Sequence, residues 1–396
     1  MSGEPSLAGL LHPMTVDAFL GELWGRKTQL IRKGRSDDFA GLFDVGVMET
    51  FLQYARPDEA AVRLVKSDKV MPPSDYRLAN GSIDMVRLRN LLADGHTLVM
   101  NGLDRHIPAI ATLAHAIEVE LNFETQVNAY VTPPKSQGFL AHYDDHDVLI
   151  LQVQGSKTWH VYGPQADVPP RLLPRRDKFV LDGLPEPDDL VLEPGDVLYL
   201  PRGRVHAAEA QRESSIHLTI GIHAPTVMGL AIKALESLSL RDDRLLGELP
   251  PRYLNDAGER ARLGGLVGDA LGGIDETAMS DAIGALEDIL VRRGRCALSG
   301  QLVANAVEAG RIDARTWLER SRPLYARVLA LQDGVALQFA QALVQAGPEH
   351  RAAMLYLSKQ AEPFQVGDIP GLEAKDQVEL ARKLIIDGFL LRLHEA

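Results

Sequence analysis

One cysteine, Cys296, in 396 residues excludes an internal disulfide framework and any zinc site built on thiolates, so a metal here must be held by histidine and carboxylate. That scarcity also suits a reducing cytosol. Long apolar runs are missing as well: no stretch reaches the roughly 18 uninterrupted apolar residues of a membrane span, and the N-terminus lacks the basic flank and apolar run of a secretion signal. The expectation is a soluble, cytoplasmic protein with no membrane partner. Positive charge is the third shortage, with 42 Lys and Arg against 54 Asp and Glu and a formal net charge of −12. Broad binding to nucleic acid relies on neutralising many phosphates, so direct nucleic-acid binding is not expected.

What is present is the balance of a folded protein, 45% apolar and 24% charged residues, in a chain longer than most single cores grow. From Thr15, TVDAFLGELWGRKTQLIRKG predicts an N-capped helix with Phe19, Leu20 and Leu23 on one face, then an extended QLIR run. From Thr125 the texture changes. TQVNAYVTPP, DVLILQVQ, KTWHVYG, DVLYLP and SSIHLTIGIH are short β-branched and aromatic runs divided by Gly, Pro and Asp turns, and no helix joins them. This predicts an antiparallel jelly roll rather than a βαβ sheet.

After Pro225, VMGLAIKALESLSL and DAIGALEDILVRRG carry apolar residues at three and four spacing, and strand signals nearly vanish. The last stretch reads helix, turn, helix, short strand, the order of a winged-helix-like unit. The expected fold class is mixed α and β, with a jelly-roll catalytic domain over 1–224, a helical domain over 225–345 and the winged-helix-like unit over 346–396.

The chemistry concentrates in AHYDDHDVLILQVQGSKTWHVYG. His142 and Asp144 stand two apart at the start of a strand and so project to the same face. His206, in EPGDVLYLPRGRVHAAEA, opens a distant strand after two turns and completes a two-histidine, one-carboxylate set. Such a set leaves coordination positions open and suits the Fe(II) oxygenases; zinc hydrolysis is its chemical rival. Asp145 and Asp147 point to the opposite face, while His146 shares that of Asp144, as a residue beside the metal, at the surface or at a substrate. His160, His217 and His223 lie in alternating strand patterns as core or rim histidines. Lys157, just after the Gly155 turn, is a candidate cation for the distal carboxylate of a co-substrate, because an inward lysine needs an anion; a solvated turn lysine is the plainer alternative. Tyr130 and Thr219 are candidate hydroxyl donors to that carboxylate, or ordinary strand residues. The loop from Asp167 to Asp189, with Arg171, Arg175 and Arg176, is read as a substrate rim or a solvated charged loop.

At these residues the chain resembles a known family, the JmjC ribosomal oxygenases, which are cupin-type hydroxylases. NAYVTPPKSQGFLAHYDDHDVLILQVQGSKTWHVYGP and EPGDVLYLPRGRVHAAEA carry the resemblance, supported by FLGELWGRKTQLIRKG. It implies Fe(II) at His142, Asp144 and His206, O₂ as co-reactant, and 2-oxoglutarate held by Lys157 with help from Tyr130. It further implies homodimerisation through the helical region and a protein substrate, an Arg or His of a ribosomal protein. N-methyl-lysine demethylation and hydroxylation of another peptide are the enzymatic alternatives, and a non-catalytic cupin or winged-helix interaction protein is the alternative of another class. One position departs from the pattern: Gly221 stands in HLTIG where related chains carry serine, which puts a hydroxyl contact to the co-substrate in question, with Thr219 as its replacement.

Overall fold

The computed structural model describes residues 5–36, 38–163, 185–296, 309–340 and 342–393. These divide into two compact units, 1–224 and 225–396.

The first unit is a sandwich of antiparallel strands. Its eight-stranded sheet runs β1 (Gln29–Ile31), β9 (Val197–Leu200), β6 (Asp147–Gln154), β11 (Ser215–His223), β5 (Glu124–Thr132), β4 (Thr97–Met100), β2 (Val62–Lys66) and β3 (Lys69–Val70). A three-stranded sheet, β10 (His206–Ala210), β7 (Lys157–Val161) and β8 (Asp188–Leu192), accompanies it. DVLILQVQ is almost continuously apolar because both faces of β6 are covered. Leu149 and Leu151 join a large core with Ile110, Leu113 and Ile117 of the helix Pro108–Leu121, while Val148 and Ile150 join a smaller one with Trp159, Leu192 and Leu198. That alternation turns alternate residues of β5, β6 and β11 toward a cavity.

Thr15 caps the short helix Val16–Ala18 through its side chain, and QLI forms β1. The expected shared apolar face needs correction: Phe19 and Leu23 are buried, but Leu20 is 37% exposed. Residues Phe19–Leu23 form a π-helical turn, and adjacent residues 19 and 20 cannot both point inward. The Tyr199 hydroxyl accepts from the Gly25 amide at 2.7 Å and donates to the buried Asp147 carboxylate at 2.6 Å, so this entry segment is tied to the start of β6.

Gly195 turns the chain into β9 at φ +94°, and a Cβ there would lie 1.9 Å from the Arg35 carbonyl oxygen. Backbone strain and backbone collision coincide, so Gly195→Ala is expected to destabilise the unit by about 3 kcal/mol or more. Thermal unfolding checks this; an unchanged Tm would contradict it.

In the second unit the helices Val227–Ser239, Ala257–Gly272 and Glu276–Arg293 agree with the helical texture after Pro225. The expectation that this texture runs to 345 is corrected. β12 (Trp317–Arg320), β13 (Ala326–Leu331), β14 (Gly334–Phe339) and β15 (Ala342–Ala346) occupy its second half. The C-terminal helices Arg351–Lys359 and Ala374–Ile386 share a core with them: Leu318, Leu337 and Phe339 pack with Leu357, Leu384 and Phe389. β12 also pairs with β16 (Phe364–Gln365) and β17 (Leu390–Arg392). A boundary at 345/346 therefore runs through one core, because a short amphipathic strand buries its apolar side only against elements distant in sequence.

Candidate metal and co-substrate site

The candidate metal-ligating residues stand just before β6 and at the start of β10. His142 and His206 form an isolated antiparallel bridge: the His142 amide donates to the His206 carbonyl at 3.0 Å, and the His206 amide to the His142 carbonyl at 2.7 Å. The Gly203 amide donates to the Asp144 carbonyl at 2.8 Å. The PRGRVH turn is thus pinned directly to the HxD segment, which is why two sequence-distant motifs meet.

The ligand atoms of His142, Asp144 and His206 all lie within 4.8 Å of one another. His206 Nε2 is 3.7 Å from Asp144 Oδ2, and the two imidazole centroids are 4.5 Å apart. Nδ1 of His142 lies 2.8 Å from the Leu140 carbonyl and Nδ1 of His206 lies 2.9 Å from that of Arg204. Each ring nitrogen bonded to a backbone carbonyl carries the proton, leaving the Nε2 lone pair for a metal. Among the described residues this is the one cluster of three or more such groups with that geometry. Asp147 is committed to Tyr199, and the Asp145 side chain is 75% exposed beside His146 Nδ1.

The ligands line a cavity of about 210 Å³, room for a small dicarboxylate or a side chain rather than a dinucleotide when water occupies ~30 Å³. Strand register arranges its walls in rungs. His217 of β11 faces Tyr130 of β5, Thr219 faces Asn128, Gly221 faces Gln126, and the exposed His223 faces Glu124. The His217 rung is the closed end and the His223 rung the mouth.

Lys157 stands at the closed end, 4% exposed, and its ammonium donates to Thr132 Oγ1 at 3.0 Å. Burial lowers its pKa to about 7. Three further polar atoms of cavity-lining side chains are buried without a hydrogen-bond partner, Arg63 Nε, Trp159 Nε1 and His217 Nδ1. His217 lies flat on Tyr130, with centroids 4.8 Å apart and an interplanar angle of 1°. Burial, reinforced by Lys157, pushes its pKa well below the ordinary value, so it is neutral. A buried ammonium with a single hydroxyl partner and unmatched N–H capacity around it is costly, and an anion is what offsets that cost.

The sequence-predicted residues are therefore distributed as follows. His142, Asp144, His206, Lys157, Tyr130 and Thr219 all line one cavity. His160 does not, being bonded to Asp189 at 2.6 Å. Asn128 and Trp159 line the cavity too and were not singled out; strand alternation from Tyr130 and Lys157 identifies both. Gly221 is corrected in its meaning. It stands four residues from His217 along β11, about 14 Å at 3.4 Å per residue, so its missing side chain belongs to the mouth and not to the Lys157 end. The loop arginines 171, 175 and 176 lie outside the described residues.

Residues 104–230, which include this whole constellation except Arg63 and Thr97 of the flanking strands, match the family model of the JmjC domain. This stretch is a JmjC domain. Ribosomal oxygenase 1 of Bos taurus is 30% identical over 239 residues, 59% of this chain and 35% of its own length. The Drosophila persimilis protein named bifunctional lysine-specific demethylase and histidyl-hydroxylase NO66 is 29% identical over 248 residues, 56% of this chain and 32% of its own length. The chain thus spans about a third of the length of these curated relatives. A solved structure of YcfD, a ribosomal oxygenase from Escherichia coli in complex with cobalt and 2-oxoglutarate, has a TM-score of 0.52 at 19% identity, covering 96% of this chain and 99% of that one. The likeness to YcfD is one of fold: a mixed α and β protein around the segment that matches the JmjC domain.

Proposed function

We propose that this protein is an Fe(II)- and 2-oxoglutarate-dependent oxygenase that hydroxylates a protein side chain, an Arg or His of a ribosomal protein. One observation carries the reading: the candidate metal triad of the JmjC domain shares one cavity with a buried lysine that needs an anion. A zinc hydrolase uses the same triad but has no use for an ammonium at the blind end. A vestigial cupin has no reason to retain that cost.

The residues fit both groups. His142, Asp144 and His206 would hold the metal, and Lys157 would hold the distal carboxylate, with Tyr130 and Thr219 supplying hydroxyls along the wall. Bound there, the iron would supply the activation of O₂ that is coupled to conversion of 2-oxoglutarate to succinate and CO₂. The protein's own part is to orient the dicarboxylate, keep water from the closed end, and present one C–H bond of the substrate at the mouth.

The names of the relatives support the ribosomal substrate, and a net charge of −12 suits a basic partner. Demethylation is the second reading, supported by the demethylase in the name of the Drosophila relative. Iron-dependent succinate formation tests the oxygenase reading; a peptide gain of one oxygen, against formaldehyde release, separates hydroxylation from demethylation. Absence of both 2-oxoglutarate binding and succinate would leave the non-catalytic cupin.

The same proposal covers assembly and place. The helices after Pro225 carry exposed apolar residues, among them Val227 at 86% and Leu240 at 82%, which supports a homodimer; light scattering at the monomer mass would refute it. The terminal helices and β-sheet support the winged-helix-like reading, as a packing or partner module of a cytoplasmic protein. No described helix is long and apolar enough to cross a membrane.

The lysine also sets a pH dependence. With a pKa of about 7 in the ligand-free protein, Lys157 is mostly neutral above pH 7, yet a dicarboxylate requires it charged. Binding above pH 7 therefore takes up a proton, and the affinity for 2-oxoglutarate is expected to fall by up to tenfold per pH unit there. Calorimetry in buffers of different ionisation enthalpy measures that uptake; an enthalpy independent of buffer would contradict it.

A further inference from the structure

We propose that His146, lying over Gly221 at the cavity mouth, orients the substrate by accepting a hydrogen bond from an N–H-bearing side chain, whether guanidinium, imidazole or ammonium. This rests on the oxygenase reading and specifies how that site selects its substrate.

The argument starts from the absent side chain. A Cβ on Gly221 would lie 2.8 Å from His146 Nε2, 2.9 Å from its Cδ2 and 3.6 Å from His223 Nε2. The His146 ring thus occupies room that any side chain at 221 would need. Gly221 and His146 form a sterically linked pair, the imidazole reaching in from just before β6 over the bare glycine of β11. His146 packs against His223 with centroids 4.5 Å apart, and both rings line the cavity. His146 Nε2 is the nearer of the two ring nitrogens to the space over Gly221.

The hydrogen-bonding sense follows from the other edge of the ring. His146 Nδ1 lies 3.1 Å from Asp145 Oδ1. A carboxylate only accepts, so in the neutral imidazole Nδ1 carries the proton and Nε2 presents a lone pair. The mouth therefore offers an acceptor. Its surroundings share that preference: Asp145 is beside His146, and Glu124 is the cross-strand partner of His223. Arg63, which also lines the cavity, stands three strands from β11 on β2. His146 is two residues past Asp144, so a group held by it is positioned beside the metal triad rather than at the Lys157 end.

The test uses the full chain loaded with cobalt(II) and 2-oxoglutarate under nitrogen, with blocked glycine-flanked peptides centred on Arg, His, Lys or Leu. Affinities are read from paramagnetic broadening of the peptide resonances. At least one of the N–H-bearing centres is expected to bind about tenfold more tightly than Leu, the worth of one hydrogen bond. His146→Leu and Gly221→Ser, which evicts the ring, should both erase that preference, and His146→Gln, whose amide oxygen accepts, should restore most of it. All variants should bind 2-oxoglutarate within about twofold of wild type. A preference that survives His146→Leu, a wild type with no preference or no peptide binding, or a parallel loss of 2-oxoglutarate affinity would overturn the assignment. Failure of wild type to bind 2-oxoglutarate at all would instead remove the oxygenase reading beneath it.

Discussion

Replacing Lys157 by methionine is expected to weaken 2-oxoglutarate binding about a hundredfold or more while making the ligand-free protein more stable. The two effects have opposite signs for one reason. Lys157 is 4% exposed and its single hydrogen bond goes to a hydroxyl, so in the free protein the ammonium is a desolvated, uncompensated charge. An apolar side chain of similar length removes that penalty, a gain on the order of 1–4 kcal/mol. With the dicarboxylate bound, the same ammonium is half of a buried charge pair, and breaking such a pair costs about 3 kcal/mol. The stability gain also depends on pH. The folded pKa of about 7 lies below the ordinary lysine value of 10.5, so the unfolded chain binds more protons between those values and wild-type stability rises with pH across that window. The advantage of Lys157→Met should therefore be largest below pH 7 and shrink toward pH 10. Melting curves across this range, with calorimetric titration of 2-oxoglutarate, check both halves. A variant that loses affinity and stability together would mean that Lys157 is a structural residue.

Loss of a triad member is the second large effect. His142→Ala, Asp144→Ala and His206→Ala are each expected to lower metal affinity by more than about a hundredfold, beyond the loss typical of residues that only orient a ligand. Folding should be little affected by His142→Ala, because the backbone bridge between residues 142 and 206 does not involve the imidazole. The measurement is a cobalt(II) titration followed by its visible absorption, with circular dichroism as the control for fold. Asp145→Ala supplies the contrast. Its side chain is exposed and touches His146, so affinity within a few-fold of wild type is expected, and a full loss there would move the carboxylate ligand from 144 to 145.

How much of this was readable before the fold is best judged residue by residue. His142 and Asp144 were legible because an HxD pair running into the apolar DVLILQVQ strand places an imidazole and a carboxylate together, although both stand just before β6 rather than on it. His206 was legible because PGDVLYLPRGRVH announces a turn, a buried strand and another turn. Leu20 misled because an apolar residue beside two core residues looks like part of the same face until the helix becomes a π-turn. β12–β15 misled because ARVLAL and GVALQF are short and lie beside strongly helical segments, and their partners are each other and distant helices.

Local pattern alone determined the strand runs, the antiparallel class, the triad and the exclusion of thiolate metal chemistry, since each follows from side-chain period or from composition. The tertiary structure decided whether Lys157 faces solvent or a blind cavity, that Gly221 serves the mouth rather than the co-substrate end, and that His146 fills the room Gly221 leaves. It also decided that residues 309–390 share one core. These depend on which strands become neighbours and in what register, and register is set by contacts between residues tens of positions apart.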